Sequence, residues 1–95
     1  MRIEPVEIYS DKTNMAVLRH PKRKSPGVLI QGDDLHVLCC RADKACSEIS
    51  RSEPGYAELN QLRNALWSRL NHYKATLVEY EIPMPFTEDH GFYRF

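Results

Sequence analysis

The sequence has no long apolar run, no net charge, few glycines and no distant pair of cysteines, and each absence removes a class of protein. No stretch approaches the roughly 20 apolar residues that cross a bilayer, and the polar start Met1-Arg2-Ile3-Glu4-Pro5 lacks the apolar centre of a signal peptide. The expectation is a cytoplasmic chain with no membrane partner. Thirteen Lys and Arg balance thirteen Asp and Glu, so no overall field steers the molecule toward nucleic acid or anionic lipid. A charged partner has to be met by a local patch. The four glycines leave little room for backbone phosphate cradles, and no phosphate loop, dinucleotide fingerprint, nucleophile elbow or zinc-spaced quartet occurs. Cys39, Cys40 and Cys46 are odd in number and crowded into one short stretch, so reduced thiols are expected rather than a disulfide frame.

What is present reads as one ordinary globular domain. Ninety-five residues support a single core, and 42% hydrophobic with 27% charged residues is far from the profile of a disordered chain. The fold expected is α+β over residues 1–86, a small two- or three-stranded antiparallel sheet packed against a helical hairpin, followed by a C-terminal tail at 87–95. Alternation of Val6 and Ile8 with Glu7 and Tyr9 predicts a first strand over 3–9, with Pro5 placing it near an edge. Met15-Ala16-Val17-Leu18 suits a second strand or one turn of helix, the strand being preferred, and Val28-Leu29-Ile30, bounded by Pro26-Gly27 and Gly32, suits a third strand.

Two helices follow. From Asp33 or Asp34 to about Ser50, Leu35, Leu38, Ala42, Ala45, Cys46 and Ile49 recur at spacings of three and four and share one face. After the break at Ser52-Glu53-Pro54-Gly55, with Ser52 as the expected N-cap, a long second helix runs from about 57 to about 80. Leu59, Leu66, Leu70 and Leu77 form its expected core line, flanked by Leu62, Tyr73 and Tyr80. Arg63, Asn64, Asn71 and Lys74 are placed mostly outside it. Pro83 and Pro85 end the helix because neither continues its ladder. In the tail, Phe92, Tyr93 and Phe95 either fray or dock on the body.

Three groups of residues carry candidate chemistry. His36 stands three and four positions before Cys39 and Cys40, a spacing that brings imidazole and thiol onto one helical face. The group falls short of the four ligands of a zinc site, and Cys39 and Cys46 lie on the apolar stripe, where cysteine packs as a small hydrophobe. Cys40 faces away and would be a reactive thiol only if a cation such as Arg41 or Lys44 lowered its pKa. The basic run Arg19, His20, Lys22, Arg23 and Lys24, around Pro21, reads as an exposed loop that meets an acidic protein face or, as the lesser reading, phosphates. Trp67 sits about 80° from the leucine line of the second helix and serves either the edge of the core or a contact surface. His72, His90 and the adjacent carboxylates Asp33-Asp34 and Glu88-Asp89 have no neighbour suited to acid–base work.

Val6-Glu7-Ile8-Tyr9-Ser10-Asp11, residues 19–21, Pro26-Gly27-Val28-Leu29-Ile30-Gln31-Gly32-Asp33 and Leu62-Arg63-Asn64-Ala65-Leu66-Trp67 through His72-Tyr73-Lys74 together carry a resemblance. Over most of the chain up to Phe86 it resembles a family of short, uncharacterised bacterial proteins. The resemblance implies a bacterial cytoplasmic protein and carries over no activity. The leading expectation is a non-enzymatic protein-binding module, of the kind exemplified by an immunity protein or inhibitor of a partner protein. Its partner-binding residues are Arg19, His20, Lys22, Arg23, Lys24 and Trp67, and no catalytic residue, metal ligand or cofactor is assigned. The rival expectations are a small thiol- or metal-dependent enzyme built on His36, Cys39 and Cys40, and a nucleic-acid-binding regulator built on the basic loop. A small sheet and hairpin that leave an apolar face uncovered would favour a homodimer.

Overall fold

A computed structural model describes residues 1–87 of the chain. The expectations for Phe92, Tyr93, Phe95 and His90 therefore lie outside the described residues. The architecture is α+β: three strands followed by two helices, the second the longer. The chain forms two compact units, one spanning Met1–Gln31 and the other beginning at Gly32.

The first unit is an antiparallel meander of β1 (Glu7–Ser10), β2 (Met15–Arg19) and β3 (Gly27–Ile30), with β2 in the middle. Glu7 pairs with Arg19 and Ile8 with Leu18, after which Tyr9 is skipped and Ser10 pairs with Val17. That irregularity is a bulge, which twists and ends an edge. On the other side Met15, Ala16, Val17 and Leu18 pair in unbroken register with Ile30, Leu29, Val28 and Gly27. The first strand starts four residues later than the alternation suggested, because Pro5 has no N–H to give a ladder. Thr13 shapes the turn between β1 and β2, its hydroxyl bonding both the N–H and the carbonyl of Met15.

The second unit is a helical hairpin of α1 (Gly32–Glu48) and α2 (Tyr56–Glu79). Its centre is Leu35, Cys39 and Leu70, with Leu66, Trp67, Tyr73 and Phe86 packed around them. On α1 the buried residues are Gly32, Leu35, Cys39, Ala42 and Cys46, a stripe at alternating spacings of three and four. Leu38, expected inside, lies off that stripe and is exposed. On α2 the same spacing runs through Arg63, Trp67, Leu70, Lys74 and Leu77, all buried or half-buried. The true stripe is thus rotated from the leucine line, and Leu62 and Tyr80 are exposed. Lys74, expected outside, is 2% exposed. It stands one turn after Leu70 and one turn before Leu77, and its ammonium lies 5.9 Å from the centre of the Trp67 ring.

The connection between the helices also corrects the capping assignment. Ser50 and Ser52 bond each other at 2.9 Å, and Glu53 N–H donates to the Ser50 carbonyl within a turn. The N-cap of α2 is Gly55, at φ 90°, where a side chain is strained and glycine is not. At the far end Glu81 N–H donates to the Val78 carbonyl and Ile82 N–H to that of Leu77, the paired bonds of a Schellman motif that closes the helix before Pro83.

Gly32 opens α1 because a ring occupies the space a side chain would need. A Cβ built there collides with Cζ, Oη and Cε1 of Tyr73. Gly→Ala inside a helix ordinarily stabilises by about 0.5–1 kcal/mol, yet here the forced displacement of a packed aromatic outweighs that gain. Gly32→Ala is expected to lower stability by about 1–3 kcal/mol in urea unfolding. The cost should shrink in a Tyr73→Ala background.

Candidate functional site

The basic run between β2 and β3 is an ordered turn rather than a loose loop. Arg23 N–H donates to the His20 carbonyl at 2.9 Å, and Lys22 N–H donates to His20 Nδ1 at 3.1 Å. The ring nitrogen that accepts this bond carries no proton, so the neutral His20 ring carries it on Nε2. Arg19, in the last position of β2, anchors the turn from the sheet side. Its Nε pairs with Glu7 Oε1 across the ladder, and its Nη1 donates to the Arg23 carbonyl at 2.8 Å. The hydrogen bond and charge of Arg19 hold the Glu7 carboxyl below its ordinary range, and Glu7 reciprocally raises Arg19.

Beside this turn lies an open hollow of about 470 Å³. Leu18, Val28 and Leu29 supply its apolar lining, His20, Arg23 and Lys24 its basic rim, and Ser25 and Gly27 complete it. Among the described residues no carboxylate lines it. The five basic-run residues therefore separate by task. His20, Arg23 and Lys24 border the hollow, Lys22 is exposed outside it, and Arg19 holds the turn in place. Leu18, Val28 and Leu29 are the site residues that sequence reasoning did not assign. An apolar strand run signals core, and only the position of this one directly after a basic turn hints at a lined surface.

Trp67 is placed otherwise. It is half-buried against the Leu35–Cys39–Leu70 centre, and its indole N–H donates to Asp43 Oδ1 at 3.0 Å. With Lys74 near its ring, the indole bridges a carboxylate on α1 and an ammonium on α2. This geometry accounts for Trp67 by packing between the two helices.

The thiol group separates as well. Cys40 Sγ lies 3.7 Å from His36 Nε2, as their spacing suggested, and Phe86 stacks on the imidazole at 4.2 Å between ring centres and 2° between planes. Cys39 points instead into the core and is fully buried. Burial, followed by the charge of Asp43, pushes the Cys40 thiol up. Burial, then the charge of Asp43 and that of Cys40, push Cys39 up to about 11 from an ordinary value of 9.0, against a lowering contribution from Lys74. Both groups are thus held as thiols at neutral pH, the less nucleophilic form. Among the described residues no three His, Cys, Asp or Glu side chains are grouped to hold a metal ion.

A measurable consequence follows from this placement. In native protein at pH 7, Cys40 is expected to react with a thiol reagent more slowly than a free cysteine. Cys39 and Cys46 should react only after denaturation, which mass spectrometry of the modified chain would show. The raised Cys39 also sets a pH dependence. Its thiol form is favoured by the fold, so this contribution to stability is complete below pH 9.0 and is lost as pH rises toward about 11.

Comparison with known proteins adds a family. The pattern of the family of unknown function DUF6959 matches residues 1–86. The chain belongs to that family. The match ends at Phe86, where the resemblance in the sequence also ended, and the DUF6959 description names no activity or partner. No curated protein and no solved structure matches the chain. No helix among the described residues is long and apolar enough to cross a membrane.

Proposed function

We propose that this chain is a non-enzymatic protein-binding module, and that its contact surface is the basic turn at 20–24 with the hollow beside it. The observation that supports this reading most is the combination of a pre-ordered turn with an apolar lining and a rim of one charge sign. Such a surface suits an acidic segment of a partner protein that also carries apolar side chains. Carboxylates meet Arg23, Lys24 and the Nε2–H of His20, while the apolar groups leave water against Leu18, Val28 and Leu29. Because Arg19 already fixes the turn, binding orders few additional torsions. An immunity protein or an inhibitor that sequesters an acidic partner is the class of function that fits, in a bacterial cytoplasm.

The test is affinity capture from the producing cell with the wild-type chain and with an Arg23→Glu/Lys24→Glu variant. The reading expects a specific protein retained by the wild type, lost with that variant and kept by a Lys44→Glu control on α1. Retention that ignores the turn, or turnover of a small molecule by the purified chain, would overturn it. Nucleic acid is the weaker alternative for the same residues. The rim offers only a few cations and an apolar lining, whereas a phosphate track needs a longer basic stripe.

A further inference from the structure

The two edges of the sheet are built differently. β1 is guarded: the skipped Tyr9 interrupts its register, and the Glu7–Arg19 ion pair puts charge along it. β3 has none of these devices. It consists of Gly27, Val28, Leu29 and Ile30, holds no charge or bulge, pairs with β2 in unbroken register, and has no second neighbour among the described residues. All four residues are exposed, Val28 at 58%, Leu29 at 48% and Ile30 at 40%. A flat, apolar, unguarded edge is a template for another strand.

The charges flanking β3 indicate which strand. The basic residues Lys22, Arg23 and Lys24 precede it, and the exposed acidic residues Asp33 and Asp34 follow it. A strand running antiparallel to β3 complements it best if it is basic before its apolar centre and acidic after it. β3 itself has that order. We infer that β3 pairs with β3 of a second copy of this chain, antiparallel about a two-fold axis at Leu29.

In an antiparallel pair only residues of like parity in the two strands exchange bonds, so a two-fold axis must fall opposite a residue and not between residues. An axis at Leu29 sets Leu29 against its own copy and Val28 against Ile30, which pairs every apolar side chain of the strand with another. Lys24 and Asp34 are equidistant from Leu29 in sequence. The axis therefore brings the basic segment before each β3 to the strand end from which the other copy's acidic residues follow in sequence. The product is one continuous sheet with the guarded β1 strands at its outer edges. Lys24, Gly27, Val28 and Leu29 belong also to the lining of the hollow, whereas Asp34 does not, so Asp34→Lys tests this pairing without altering that lining.

The test is sedimentation equilibrium of the full chain with four variants, Lys24→Glu, Asp34→Lys, the two combined, and Leu29→Lys, each checked for native far-UV circular dichroism. A dimer is expected for the wild type. Each single charge reversal should weaken it about tenfold, through repulsion repeated at two symmetric positions, and the combined reversal should restore it. Leu29→Lys, which places like charges face to face on the axis, should leave monomers. A wild type that remains monomeric at about 1 mM, a concentration at which pairs of millimolar affinity are well populated, would overturn the inference and leave the edge to a foreign strand. A dimer indifferent to Leu29→Lys and to both charge reversals would overturn it equally, by placing the contact on another face.

Discussion

Replacing Lys74 by Glu is expected to destabilise the helical unit by about 3–5 kcal/mol, a large share of the roughly 5–15 kcal/mol that holds a small domain together. Lys74 is 2% exposed, on the stripe shared by Leu70 and Leu77, with its ammonium 5.9 Å from the Trp67 ring centre. Asp43 accepts the indole N–H of the same tryptophan. A carboxylate at position 74 would meet the negative face of the ring and the like charge of Asp43, with little water to screen either. Lys74→Met retains the stem and removes the charge without putting a like charge beside Asp43, so its expected cost is smaller than that of Lys74→Glu. Urea unfolding followed by circular dichroism separates the two variants. The loss in Lys74→Glu should also diminish as pH falls, because burial and Asp43 would raise the introduced carboxyl and protonation removes the repulsion.

Leu70→Ala is expected to cost about 2–5 kcal/mol by the same measurement. Leu70 is fully buried and forms the centre of the hairpin with Leu35 and Cys39, ringed by Leu66, Trp67, Tyr73 and Phe86. Its truncation removes apolar contact and leaves a void that rigid neighbours on both helices cannot close completely. Leu62→Ala provides the contrast. Leu62 is 55% exposed, so the same chemical change there is expected to fall within about 0.5 kcal/mol, the range of ordinary surface substitutions.

Those two leucines show where the sequence was legible and where it was not. Leucines at helical spacing correctly indicate a long second helix, since periodicity identifies the element independently of its rotation. They do not fix which side is buried. The stripe against α1 passes through Arg63 and Lys74, whose long apolar stems pack while their polar ends find partners, and hydropathy scores both as surface. On α1, spacing alone groups Leu38 with the core although it is exposed, whereas Cys39, which the spacing also puts on the apolar stripe, does occupy the centre.

The sheet was readable because Pro26-Gly27 and the turn at 11–14 bracket short apolar runs. Its register and the bulge at Tyr9 depend on cross-strand geometry that no local pattern encodes. The basic run was also readable as an exposed feature. Its order was not, because that order comes from Glu7, distant in sequence, and from a ring nitrogen and a carbonyl acting as local acceptors. The apolar lining of the hollow escaped for a related reason. Val28 and Leu29 carry the composition of a core strand but are exposed.

The claim on which the functional account rests is that residues 18–29 form the recognition surface. It is tested most directly by following backbone amide chemical shifts while a peptide of alternating glutamate and leucine is titrated into the labelled chain. Saturable shifts concentrated at Leu18, His20, Arg23, Lys24, Val28 and Leu29, and abolished by Arg23→Glu/Lys24→Glu, are the expected result. Shifts centred instead on His36, Cys40 and Phe86, or no shifts with the peptide in large excess, would contradict it.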